Sequence, residues 1–353
     1  MLIALVLAVA GPVMAADVLV CTSENAPEEI RNAAAELAET APLLKALQAS
    51  GSSRATAQQT SEGLLEPAAY NLAAQNHLVV IGRPSQDPLM KKVLGEMVGI
   101  DEETRRLQSL GWGQFEGDVG WIESDRNPFL HSRRTKAAPD GTLLVKISGT
   151  SDAGVLAAVR AFQHGMLNGI VPAGTVSRPK TTLLDLDPLT DPAPVDLPET
   201  ITINGKPAYL AGWSQIPANE YRAVLETTGT EPARMWRYKY LVPGFLGKKS
   251  LERWLSGPSL KAYGNTFEII EFAEESAASQ GVLKMTREGF KSAGIEGFKS
   301  ARTGPQATDE VMEKPIWNIT TLAAGRNIIL ATLPPDQTAT LARLVQGATV
   351  KPQ

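Results

Sequence analysis

One cysteine, three histidines and 6% aromatic residues are all that this 353-residue chain offers of the side chains that usually anchor disulfides, metals and stacked ligands. Cys21 has no partner, so no intramolecular disulfide forms, and the fold must be held by an apolar core that a chain of this length can build. His77, His131 and His164 stand in no H-E-x-x-H or H-x-H spacing, which argues against zinc. Gly82-Arg83-Pro84-Ser85 has neither the glycines of G-x-G-x-x-G nor a Walker lysine, and G-x-S-x-G is absent. No metal and no cofactor are therefore expected. A net charge of −4 is too small for a general nucleic-acid binder.

The longest uncharged apolar stretch is at the start. Met1 to Ala15 (MLIALVLAVAGPVMA) is shorter than the about 20 residues a membrane span requires. It ends in Val13-Met14-Ala15, the small-residue pattern of signal-peptide cleavage, although it lacks the positive residues that usually precede such a segment. Residues 1–15 are thus expected to be a signal peptide cut after Ala15, giving an exported protein (periplasmic, cell-envelope or secreted). Val20 before Cys21 is too large for lipidation of that cysteine. No later run approaches spanning length, so no transmembrane segment is expected in the mature chain.

Residues 16–184 read as an α/β domain. Asp17–Cys21, His77–Ile81, Val119–Glu123 and Thr142–Ile147 have the composition of buried strands. Ile30, Ala34, Leu37 and Ala41 recur at helical spacing behind a cap at Ser23 or Asn25. Helices are also expected over Pro88–Val98 and over Gly149–Asn168, the latter capped by Ser151 or Asp152. The Ser/Thr/Gln-rich stretch 50–62 reads as a loop. Strands alternating with helices predict a largely parallel sheet. Residues 185–200, rich in proline and acid, read as a stiff linker. Residues 201–353 then form a smaller α+β domain: a tight turn at Asn204-Gly205, a strand over 233–241, strand and helix over 266–286, a hairpin over 317–332 and a last helix from Pro335. A ferredoxin-like order is one arrangement that fits it.

Three blocks follow one another in the first domain: Leu78-Val-Val-Ile-Gly82, then Gly120 to Phe129 with its Asn127-Pro128-Phe129, then Leu143 to Gly149 with Gly154 and Ala157 to Phe162. This order resembles the α/β module of S-layer-type envelope proteins over about 85 residues. Arg83 stands where that family has a second glycine, and the second domain has no counterpart. Similar modules also precede the catalytic domains of secreted carbohydrate-active enzymes. The resemblance implies envelope surroundings and a structural or binding role.

Two stretches carry candidate chemistry. Glu116, Asp118, Glu123 and Asp125 are four carboxylates in ten residues. Glu123 and Asp125, the latter placed in the loop beyond a strand, have the residue types of a glycosidase pair. Asp125 and Asn127 also suit a simple turn, and the spacing is not that of a dedicated Ca²⁺ loop. Residues 234–263 hold Arg234, Arg237, Lys239, Lys248, Lys249, Arg253 and Lys261 against Glu252, with Trp236, Tyr238, Tyr240 and Trp254 among them. Trp236, Tyr238, Arg237, Lys239, Lys248, Lys249 and Trp254 are the candidate ligand-binding residues, for a glycan, an anionic surface or an envelope protein. The same alternation also fits a strand whose aromatic face is core and whose bases are solvated. A lone Cys21 inside an apolar strand reads as a small hydrophobe. The expectation is an exported, non-catalytic binding or structural protein, with a glycan-acting hydrolase based on Glu123 and Asp125 as the alternative.

Overall fold

The computed structural model describes residues 16–95, 98–131, 142–177, 195–217, 221–243, 265–287, 291–292, 294–302 and 319–348. Residues 1–15 (expected as a signal peptide), most of the proline-rich stretch, and Lys248, Lys249 and Trp254 lie outside them. In chain order, β1 (Ala16–Thr22) leads through Pro27 into α1 (Glu28–Thr40) and, after Ala41, α2 (Pro42–Ala49). Then come β2 (Ser53–Thr60), α3 (Ser61–Leu65), α4 (Tyr70–Gln75), β3 (His77–Ile81) and α5 (Pro88–Val93). A small three-stranded sheet follows, made of β4 (Val98–Asp101), β5 (Arg106–Ser109) and β6 (Gly113–Glu116). β7 (Val119–Arg126), β8 (Leu143–Gly149), α6 (Asp152–Gln163) and β9 (Met166–Pro172) complete the first half.

The second half opens with the hairpin β10 (Thr200–Ile203) and β11 (Lys206–Gln215), turning at Asn204 and Gly205, both at positive φ. It continues with α7 (Tyr221–Thr228), β12 (Arg234–Leu241), β13 (Thr266–Glu271) and α8 (Glu275–Arg287). The short β14 (Lys291–Ser292) and β15 (Ser300–Arg302), the hairpin β16 (Thr320–Ala324) and β17 (Asn327–Ala331), and α9 (Pro335–Gly347) end it.

The chain is mixed α/β, built on one large sheet of order β14-β15-β16-β17-β13-β12-β11-β9-β7-β8-β3-β1-β2, with β10 beside β11. β2, β1, β3 and β8 are parallel, as crossovers through helices require, and β7 enters antiparallel to its neighbours β8 and β9. β9 and β11 pair in parallel, so the sheet runs on across the expected boundary at 185–200. One apolar layer, under α1, α2, α6 and α9, joins Val20, Ile147, Trp213, Tyr238 and Ile329. The opposite face is covered in three patches: by α3–α5, by β4–β6, and by α7 with α8.

Several expectations need correction. The polar stretch expected as a loop is β2, an edge strand; its pairing with β1, not burial of its side chains, places it there. α1 has Pro27 at its cap with no side-chain bond, because the Ser23 hydroxyl bonds Glu62 instead. α5 and α6 stop early, at Val93 and Gln163, and strands take over at Val98 and Met166. A split βαβ unit holds the strands flanking its helix parallel, with another strand between. Here β11 and β12 flank α7 and are adjacent antiparallel neighbours, so the ferredoxin-like order does not describe the second half.

Several residues of the three sequence blocks in the first half have structural work. The Asn127 amide donates to the carbonyls of Ala73 (2.7 Å) and Asn76 (3.0 Å), while its oxygen accepts from the Phe129 amide (3.0 Å). Arg83 bridges Glu102 (3.0 Å) and Asp152 (2.8 Å). Gly120, Gly149 and Gly154 let α6 lie directly on the backbone of β7. A Cβ on Gly154 would strike the Val119 carbonyl oxygen and stand 2.7 Å from its carbon; one on Gly149 would stand 2.8 Å from that same oxygen. His77 is fully buried between strands. Its Nε2 lies 3.2 Å from the Ser52 carbonyl, and its Nδ1 accepts from the Leu143 amide at 3.0 Å. Burial holds this imidazole down at about 4, against the opposing pull of the Ser52 carbonyl.

Two outcomes follow from these contacts. Gly154→Ala gains about 1 kcal/mol of helix propensity but meets backbone that has no room to move, so urea denaturation should show a net loss of about 2 kcal/mol. An unchanged midpoint would mean that α6 sits further from β7. For His77, the folded value lies below the unfolded one, so below about pH 6.5 the unfolded chain binds a proton that the folded chain refuses. Stability should be full above that pH and fall by roughly 3 kcal/mol as pH drops to about 4. His77→Asn, less stable throughout, should show a flatter dependence over this window; an equal slope in both proteins would exclude the imidazole as its source.

Candidate functional site

The sequence-predicted residues are brought together differently from expectation. Glu116 pairs with Arg106 (2.7 Å) and Asp118 with Arg105 (3.2 Å) on the small sheet. Glu123 and Asp125 both lie within β7, not in a loop beyond it, and both face Lys146 of β8. Glu123 makes the close ion pair, and Asp125 lies 4.0 Å from the same ammonium. Lys146 is buried and also stands 5.4 Å from the centre of the Trp121 ring. Four carboxylates within ten residues are thus shared among three bases. Among the described residues, no group of three His, Cys, Asp or Glu side chains is placed to hold a metal.

β12 is buried on both faces, which changes the reading of its aromatic and basic residues. Trp236, Tyr238 and Tyr240 belong to the apolar layer. On the other face Arg237 pairs with Glu268 of β13 at 2.6 Å, and Lys239 is as buried as the tyrosines. Burial, together with the field of Arg237, brings the Lys239 ammonium down to about 7, with Glu268 opposing. The bases that the alternation assigned to solvent therefore lie inside the fold: Lys239 is buried and the Arg237 side chain is 12% exposed. In register, Glu268, Arg237, Ser214 and Asn168 are successive partners across β13, β12, β11 and β9. The Ile122–Gly169 pair sets Asn168 beside Glu123, which is opposite Lys146. This buried polar row crosses six strands, roughly 24 Å at about 4.8 Å per strand. Its charges have partners within it, and the row serves the sheet.

Cys21 is buried, with its Sγ 3.4 Å from the Leu19 carbonyl; burial, helped by Asp87, pushes the thiol far above its ordinary value. It is no nucleophile.

A different surface has the shape of a site. The Tyr238 hydroxyl accepts from the Val195 amide (3.2 Å) and donates to the Val195 carbonyl (3.0 Å). The Tyr240 hydroxyl donates to the Pro198 carbonyl (3.1 Å), and the Leu210 amide to that of Glu199 (2.8 Å). Burial pushes both phenols up, so they remain neutral donors. The end of the proline-rich stretch, residues 195–199, is thereby strapped over the sheet, with Val195 and Leu197 inward and Asp196 and Glu199 outward. Between this strap, β11 and α2 lies a groove of about 520 Å³, within the range of small-molecule sites.

The groove has two chemically distinct sides. Lys45 of α2 and His164 at the end of α6 line one; Asp196 and Glu199 line the other. Tyr209 and Trp213 supply aromatic surface, and Gly165 and Gly212 lie beneath. Among the described residues, the side chains of Lys45, His164, Asp196 and Glu199 make no hydrogen bond or ion pair. Reading 185–200 as a linker concealed the two acids. The available signal was the pair of tyrosines on an otherwise buried strand face, whose hydroxyls require polar partners inside the fold. No protein-family model, curated protein or solved structure matches this chain.

The strap has a direct test. Tyr238→Phe leaves a buried amide and carbonyl of Val195 without their partner and should cost about 2 kcal/mol. Tyr240→Phe frees one carbonyl and should cost about 1 kcal/mol. Hydrogen exchange at residues 195–197 should accelerate in the first variant; protection equal to wild type would show that other contacts hold the strap.

Proposed function

We propose that this chain is an exported binding protein that takes a small polar ligand in the groove between α2 and the 195–199 strap, without turning it over. The observation that carries this reading is the groove itself: a cavity of ligand size lined by charged side chains of both signs that have no partner among the described residues. In structural parts of a fold, charges near one another are normally paired, as at Lys146 and Arg237. Aromatic walls with a few polar groups are also the usual make-up of a pocket that selects its ligand. The leader expected at residues 1–15 and the envelope-type order of the first half extend the proposal to ligands outside the cytoplasm, glycans and their building blocks among them.

The hydrolase alternative has less support. Glu123 and Asp125 converge on one ammonium, and Glu123 belongs to the polar row, whereas a glycosidase pair must flank a bond with its two roles separated. The two readings separate in one experiment on the exported protein, using a glycan array and calorimetric titration of the hits. Ala49→Trp, at an exposed position lining the groove, should weaken binding at least tenfold, while Glu123→Gln and Asp125→Asn bind like wild type. Turnover of a bound glycan by wild type, abolished in Glu123→Gln, would overturn the binding reading in favour of the hydrolase.

A further inference from the structure

We propose that the ligand of this groove is a zwitterion, bound with its anionic end at Lys45 and its cationic end at Asp196 and Glu199. The inference rests on the groove being a binding site and adds the ligand's charge pattern. It comes from the opposite charges of the two sides. Lys45 projects from α2, and His164 stands at the C-terminus of α6. Asp196 and Glu199 are presented by a strap whose backbone is held by Tyr238, Tyr240 and Leu210, so their positions are set by the core. The two carbonyls just beyond α6 are already occupied. Trp213 takes that of Gly165 with its amide (2.7 Å) and that of His164 with its indole (3.2 Å). The side chains are therefore the charged groups left to meet a ligand.

Simpler ligands fit worse on elementary grounds. A neutral ligand would strip water from four titratable groups and return no charge to any of them. An anion would be repelled by the two acids, and a cation by Lys45. A ligand carrying both charges, with an apolar stem against Tyr209 and Trp213, compensates both sides at once. Because the acids and Lys45 are not paired with each other, no internal ion pair must be broken on binding.

Calorimetric titration of the exported protein with straight-chain ω-amino acids of increasing length tests this, with matched alkylamines, alkanoates and neutral N-acetylglucosamine as companions. The expected result is binding that peaks at one chain length, with the matching amine and carboxylate at least tenfold weaker. Lys45→Met should weaken the best zwitterion about tenfold while leaving the amine unharmed; Glu199→Gln should weaken the zwitterion and leave the alkanoate unharmed. An amine or a carboxylate that binds as tightly as the best zwitterion would overturn the inference. N-acetylglucosamine binding that Ala49→Trp blocks, with no response to any zwitterion, would overturn it and leave the groove reading standing. If no probe binds here and the array hits are insensitive to Ala49→Trp, both fall.

Discussion

Trp213 occupies the place where the two halves of the sheet meet. Its main-chain amide donates to the Gly165 carbonyl at 2.7 Å and its indole to the His164 carbonyl at 3.2 Å. The pairing of β9 with β11 begins at this residue, opposite Met166. The approach is possible because Gly212 carries no Cβ: one there would strike the Gly165 carbonyl oxygen and stand 3.0 Å from Leu167. Gly212 also has φ +147, where other residues are strained. With this contact the sheet is continuous from β2 to β14, and α2 comes to lie beside β11. Without it the groove has neither its floor nor its two sides.

The strap depends on the same joint. Tyr238 and Tyr240 point into the layer that Trp213 helps to fill, and their hydroxyls would be buried without partners if 195–199 did not cross above them. The strap satisfies the phenols, and the phenols position Asp196 and Glu199. Polar groups buried in the core thus set the outline of a surface feature. The second face of β12 solves a similar problem differently: it neutralises Arg237 with Glu268 inside the sheet. A buried pair of this kind is weak evidence for net stability, but removing one partner leaves a costly charge behind.

Much of the element order was legible locally. Asp17–Cys21, His77–Ile81 and Thr266–Phe272 are short runs rich in β-branched or aromatic residues, and each is a strand or lies almost wholly within one. Ser151 caps α6 through the Gly154 amide, as its type and position suggested. Asn204-Gly205 makes its turn with both residues at positive φ. What escaped was structure whose cause lies elsewhere in the chain. β2 has no apolar pattern because it is an edge, and β4–β6 are too short for periodicity to register. Within the candidate sites, residue types were readable and directions were not: Arg237 and Lys239 alternate like solvated bases, yet that face of β12 is buried in the assembled sheet.

The sequence by itself determined the periodicities, the turn at Asn204-Gly205 and the lone thiol in an apolar strand, since each depends on residues close together in the chain. Tertiary structure alone decided that Glu123 would meet Lys146, that Tyr238 would hold Val195, and that Lys45 and Glu199 would face one groove. Those pairings follow from strand order and register, which arise from competition among all strands for neighbours and burial. A local stretch shows which side of a strand is apolar; only the assembled sheet shows what covers each side.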